Sequence, residues 1–161
     1  MMKTNKLLII GGTLSVVASL LHIAIIIGGS AWYRFFGAGE GMAQLAESGS
    51  THPAIITVII AITLALWAMY AFSGAGIIKR LPLLKPVLVI ISVIYIIRGV
   101  FGIPIVIYLD HPYLNELEEK MTFMIFSSVI SLSFGLFYLI GIMQILSNKM
   151  NQGHITIDKK T

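Results

Sequence analysis

An arginine stands in the apolar run "VIYIIRGVFGIPIVI" (residues 93–107), and a histidine in a second, "VASLLHIAIII" (residues 17–27). A guanidinium is always charged and offers five N–H donors, so Arg98 suits an anion or a hydrogen-bond acceptor. The His22 imidazole can carry a proton or donate to a ligand. Tyr95, three residues before Arg98, adds a phenol to nearly the same helix face. Glu40 and His52 lie in the polar stretch after the first apolar run and could join them at its mouth. His22, Glu40, His52, Tyr95 and Arg98 are therefore the candidate ligand-binding residues. An arginine at a helix centre costs about 2.5–3.5 kcal/mol on insertion scales, so it normally faces protein or a cavity.

Catalysis finds no such support. The chain has no cysteine, no GxSxG, HExxH or P-loop motif, no lysine within an apolar run, and no paired carboxylates there. No two histidines share a metal-ligand spacing, and no metal is expected. No cofactor is predicted, although a cavity of this kind would accept a quinone, with Tyr95, Arg98 and His22 as partners of its oxygens.

The elements that hold these residues are set by composition. Hydrophobic residues make up 57% of the 161, charged residues only 11%, and mean hydropathy is +0.93. Soluble domains carry about 25% charged residues, so lipid is the expected solvent. Four segments reach the roughly 20 apolar residues a bilayer requires: Leu7–Ile27, Ala54–Ile78, Pro86–Ile107 and Thr122–Leu146. The expected fold is an all-α, four-helix transmembrane bundle within one domain, residues 1–150, followed by a polar, mobile tail at 151–161. The start "MMKTNKLLIIGG" looks like a signal peptide, but its apolar run continues to Ile27 and reads better as an uncleaved span.

Charge sets the orientation. Lys3, Lys6, Lys79, Arg80, Lys85, Lys149, Lys159 and Lys160 fall on one side, and only Arg34 and Lys120 on the other. The positive-inside rule then makes both termini cytoplasmic. The basic clusters face lipid headgroups, and no basic soluble face exists for a nucleic acid.

Each span also carries a polar stripe at helical spacing. The stripes are Ser15, Ser19 and His22; Thr63, Trp67, Tyr70 and Gly74; Tyr95, Arg98 and Gly102; and Ser127, Ser131, Gly135 and Tyr138. Small and hydroxyl residues at this spacing ordinarily let membrane helices approach and hydrogen-bond, the role expected of the serines and glycines. Arg98, nine residues inward of Ile107, lies about 13 Å deep, level with Ser19, His22, Thr63 and Ser131. An inward-facing Arg98 and His22 lining one cavity is the expectation. The alternative is that Pro104 ends the helix early and lets Arg98 reach the headgroups.

Between the first two spans, "WYRFFGAGEGMAQLAESGSTHP" alternates apolar positions with Glu40, Gln44 and Glu47. Gly37, Gly39 and Gly41 argue against one rigid helix, and a turn followed by a short interfacial helix is expected. The third connection contains Asp110–His111–Pro112, read as a turn, and Glu116, Glu118 and Glu119, read as a solvated face.

The stretches "WYRFFGAGEGMAQLAESGS", "HPAIIT" and "SGAGIIKRLPLLKPVLVIISVIYIIRG" resemble small uncharacterised bacterial four-span integral membrane proteins, over roughly residues 10 to 105. That resemblance implies a bacterial inner membrane and supplies no activity to transfer. The order of span, loop, span with small residues, basic LP turn and span also resembles the DoxX-like family. Some of its members are tied to quinone-linked oxidoreductases, but the first span lacks an early arginine and no functional residue transfers. A non-enzymatic membrane protein binding a small molecule, lipid or partner protein through an outward-opening cavity is the leading expectation. A quinone-binding oxidoreductase subunit and a purely structural subunit are the alternatives. Four spans are few for transport, which would favour a homo-oligomer or a membrane complex.

Overall fold

The computed structural model describes residues 4–108 and 121–158, with side chains described to residue 147. The third connection, where a turn at Asp110–Pro112 and a solvated face at Glu116, Glu118 and Glu119 are expected, lies outside the described residues. The fold is all-α, with α1 (Lys6–Phe35), α2 (Glu40–Glu47), α3 (His52–Ala75), α4 (Leu84–Tyr108) and α5 (Met121–Asp158). All but α2 are long and apolar enough to cross a membrane. The chain is a multi-pass membrane protein.

Local chemistry explains the ends. Asn5 caps α1, its side-chain oxygen accepting from the Leu8 N–H at 3.2 Å. Its amide nitrogen donates to the Gly141 carbonyl at 2.8 Å, which ties the start of α1 to α5. α3 ends three residues earlier than its apolar run, because Gly76 adopts φ +79°. The Ile77 N–H then returns to the Phe72 carbonyl at 3.0 Å, and the Gly76 N–H to Ser73 at 3.2 Å, a Schellman closure. The Ser73 hydroxyl, accepting from Leu81 N–H and donating to the Lys79 carbonyl, clamps the following turn.

α1 runs past Ile27 but is interrupted at Gly29 (φ +65°, ψ −152°). A residue with a side chain rarely adopts that conformation. The last turn of α1 therefore leaves the axis of the span. Gly37 (φ +69°) and Gly39 (φ +93°) then make the turn into α2. This is the expected short helix after a glycine turn. α4 continues through Pro104 to Tyr108, so Arg98 is not near its end. α5 continues beyond its apolar part, which ends at Ser147, to Asp158. No proline follows residue 112 to stop the helix where a polar tail begins at 151.

α1 packs along α3, and α4 along α5, as two antiparallel pairs. Glycine sets both approaches. A Cβ on Gly12 would stand 2.8 Å from the Phe72 ring, and one on Gly99 2.8 Å from the Leu132 backbone nitrogen. The pairs are joined at the end that carries Lys6, Lys79, Arg80 and Lys85, called the basic end below. There Leu8, fully buried, fits against both Gly74 of α3 and Gly141 of α5. The opposite end, carrying α2, is the collar end.

Candidate functional site

Midway along the bundle, one hydroxyl from α1 meets two phenols. Ser15 Oγ lies 2.9 Å from the Tyr138 hydroxyl and 3.3 Å from that of Tyr95. Tyr138 O–H donates to the Trp67 carbonyl at 3.1 Å, so α1, α3, α4 and α5 all take part. Edge-on ring contacts join Tyr95 to Trp67 (5.0 Å) and to Phe134 (5.2 Å). Ser15, Tyr95 and Tyr138 are buried, and among the described residues no buried side-chain polar atom lacks a partner. This layer closes the bundle.

On the basic side of the layer, the inward stripe of α4 is buried at Leu84, Leu88 and Ile91. Continued past Tyr95 at the same helical spacing, that stripe reaches Arg98, Gly102 and Ile105. Arg98 and Ile105 are exposed and Gly102 half-buried. α3 changes in the same way. Gly74 meets Leu88 and Trp67 meets Tyr95, yet Ile60 and Ile56, farther along that face, are 41% and 36% exposed. Val106, five turns on from Leu88, is buried, so the uncovered part of α3 and α4 above the layer is the edge that carries Arg98, Ile105, Ile60 and Ile56. Among the described residues the bundle is closed at the basic end and uncovered towards the collar along this edge of α3 and α4.

Arg98 stands at the base of this opening. Its Nη1 donates to Ser131 Oγ at 2.6 Å and to Ser127 Oγ at 3.0 Å. The glycine contacts give the register: Gly102 faces Ser128 and Gly99 faces Leu132, so the Arg98 backbone is level with Leu132. Its guanidinium, reaching between Ser131 and Ser127, therefore rises towards the collar by about 5 Å. Ser131 is buried and Ser127 half-buried. Among the described residues no carboxylate pairs with Arg98, and its Nε and Nη2 meet no acceptor.

The other expected site residues lie apart. Tyr95 belongs to the closed layer, committed to Ser15 and Trp67. His22, half-buried on the face of α1 that carries Ser15, has its Nδ1 2.8 Å from the Ala18 carbonyl of its own helix. It stands about 10 Å nearer the collar than Ser15. His52 is exposed at the start of α3. Glu40 belongs to the collar, where both its oxygens accept from Arg34 at 2.6 and 2.7 Å. Glu47 accepts from Arg34 at 2.6 Å, and this hydrogen bond holds its carboxyl below the usual carboxylate range. Arg34 thus fastens α2 to the end of α1. Below it, Ala43, Tyr33 and Ile25 form a small buried cluster; the Thr57 hydroxyl donates to the Pro53 carbonyl at 2.8 Å and lies 3.3 Å from the Tyr33 hydroxyl.

Some of these roles are not apparent from residue type. Arg34 served only as a topology signal, although Glu40 and Glu47, seven apart, already mark the helix face that pairs with it. Asn5 just before an apolar run is a capping signal. Ser127 and Ser131 read as packing residues, yet they orient the charge on Arg98. Ser19 does act as an interface hydroxyl, donating to the Ala61 carbonyl at 2.8 Å.

Comparison with protein-family models, curated proteins and solved structures returned no match, and the DoxX-like resemblance finds no support there. The class is defined by the fold alone: a multi-span helical membrane protein.

Proposed function

We propose that this chain is a non-enzymatic membrane protein that binds a ligand in the opening between α3 and α4. Arg98 is the principal contact, with His22 on the same side of the bundle and Glu40 and His52 nearer the mouth. Tyr95 contributes through the layer that forms the floor. One observation carries the reading. Arg98 stands two residues from the midpoint of α4, exposed, with two neutral hydroxyls as its described partners. A charge at this depth is costly unless something else accepts its hydrogen bonds. Residues that served packing alone would leave a satisfied interior, as the Ser15 layer does.

The basic residues support cytoplasmic termini, as in a bacterial inner membrane protein with residues 1–150 as one unit. A quinone-binding oxidoreductase subunit is the second reading, favoured by the same donors facing a space lined by apolar side chains. Purified wild type and Arg98→Leu, matched for folding by circular dichroism, should differ in co-purifying small molecules seen by mass spectrometry. A visible spectrum would report a bound chromophore. Identical extracts from two folded proteins would remove the binding reading and leave Arg98 a structural residue. Reporter fusions at Ser48 should score periplasmic; a cytoplasmic score would reverse the orientation.

A further inference from the structure

We infer that the opening takes the anionic oxyacid head of an acyl-chain amphiphile, a carboxylate or a phosphate, on the free edge of Arg98. This rests on the binding reading above and names the ligand class.

Three observations converge. The first is donor geometry. Nη1 is engaged by Ser127 and Ser131, which fixes the guanidinium plane and leaves Nε–H and Nη2–H without acceptors among the described residues. Those two donors lie side by side on one edge of the fork and match two oxygens of a carboxylate or phosphate. A neutral carbonyl could accept one of these bonds but would leave the charge uncompensated.

The second observation is charge. The four spans as read from the sequence contain no aspartate or glutamate, and the collar acids Glu40 and Glu47 bond to Arg34. An anion brought by the ligand would compensate Arg98 where the protein's own spans offer none.

The third is the wall. The uncovered faces of α3 and α4 beside Arg98 present Ile56, Ile60, Phe101 and Ile105, between 36% and 52% exposed. These side chains lie on the collar side of the Trp67–Tyr95 contact and offer apolar surface to an acyl chain. α2 packs on α1 and α3, and among the described residues it leaves this edge of α3 and α4 uncovered. A charged head with an apolar tail fits both the fork and the apolar surface.

The test uses Trp67, which borders the floor, as the reporter. In a Trp32→Phe background, the full chain in neutral detergent is titrated with a brominated fatty acid, brominated phosphatidylglycerol, a brominated fatty alcohol and a short-chain quinone. Saturable quenching by an anionic amphiphile, with the alcohol requiring at least tenfold more, is expected. Arg98→Leu should raise the half-saturating concentration of the anionic ligand at least tenfold, and Arg98→Lys by less. The fatty-acid arm identifies a carboxylate ligand and the phosphatidylglycerol arm a phosphate. Should Arg98→Leu fail to fold, the Ser127→Ala/Ser131→Ala pair, which frees the fork, must weaken the same binding severalfold. Equal quenching by alcohol and anion, or no dependence on Arg98 or the serine pair, overturns the inference. Saturable, Arg98-dependent quenching by the quinone alone would overturn it while preserving the binding site. No Arg98-dependent quenching by any probe would remove both.

Discussion

Replacing Ser15 with alanine should damage the bundle more than removing either tyrosine hydroxyl, although it deletes only one oxygen. Ser15 is the sole described partner of the Tyr95 hydroxyl, at 3.3 Å, while Tyr138 retains the Trp67 carbonyl at 3.1 Å. Tyr138→Phe or Tyr95→Phe leaves Ser15 bonded to the remaining phenol. Each should cost about 0.6–1.5 kcal/mol, the range for a hydrogen bond between membrane helices. Ser15→Ala removes two bonds and strands the Tyr95 hydroxyl in a site only 6% exposed. An orphaned buried donor adds about 1–3 kcal/mol, so a total of about 2–4 kcal/mol is expected. The diagnostic variant is Ser15→Ala/Tyr95→Phe, which removes the orphan and should be more stable than Ser15→Ala alone. Reversible unfolding in mixed micelles with increasing sodium dodecyl sulfate, followed by circular dichroism, gives the four free energies of this cycle. Strict additivity, with the double variant weaker than Ser15→Ala by the whole Tyr95→Phe cost, would refute the shared-hydroxyl account.

Gly99→Ala places a methyl 2.8 Å from a backbone nitrogen of α5, which cannot move aside. It should cost about 1–3 kcal/mol in the same assay, while Gly102→Ala, facing only the Ser128 hydroxyl at 3.0 Å, should cost clearly less. Equal costs would contradict the glycine-set approach of α4 and α5. Gly41 lies within α2 with open space around it, so Gly41→Ala should stabilise that helix by about 0.5–1 kcal/mol, seen as slower amide exchange in residues 40–47. Faster exchange would mean that α2 does not have this helical form. The Arg34 hydrogen bond lowers the Glu47 pKa, so its contribution is present above the unfolded carboxylate value and is lost as pH falls through the folded one. Exchange protection of α2, corrected for intrinsic rates, should hold from about pH 7 to 5 and fall below about pH 4. A loss already near neutrality, or an unchanged profile in Arg34→Gln, would break the assignment.

The four spans were legible because each is a continuous apolar run of bilayer length, a signal that depends on no neighbour. The glycine turn and short helix after α1 were also legible, since three alternating glycines oppose a continuous helix. Helix ends were less so. α3 stops at Gly76 although the apolar run continues to Ile78, because a left-handed glycine and the Ser73 clamp outweigh hydropathy. The stripes include the buried Ser15, Ser19, Tyr95, Ser131 and Tyr138, but they omit the buried Ser92 and Ser128, and Thr63 bonds only to its own helix. They did not reveal that Tyr95 and Arg98, three residues apart on α4, divide between a closed layer and an open groove. That difference depends on how the two helix pairs pack against each other, which no single helix encodes. For Arg34 the sequence marks the acidic face of α2 through Glu40 and Glu47, but their pairing depends on a turn whose direction is set by the backbone at Gly29, Gly37 and Gly39.

Leu8 bears on how the protein is made. Its side chain occupies a socket whose walls are Gly74 and Gly141, contributed by the second span and the last. During synthesis the first span enters the membrane with this leucine unmated. The second span supplies half of the socket, and the other half waits until the fourth span has been made. Asn5, bonded to the Gly141 carbonyl, waits with it. Assembly is therefore gated by the arrival of the last span, and a chain halted before it would expose both Leu8 and a polar cap to lipid. Membrane quality control could recognise that unfinished state at the basic end, far from the opening on the other side.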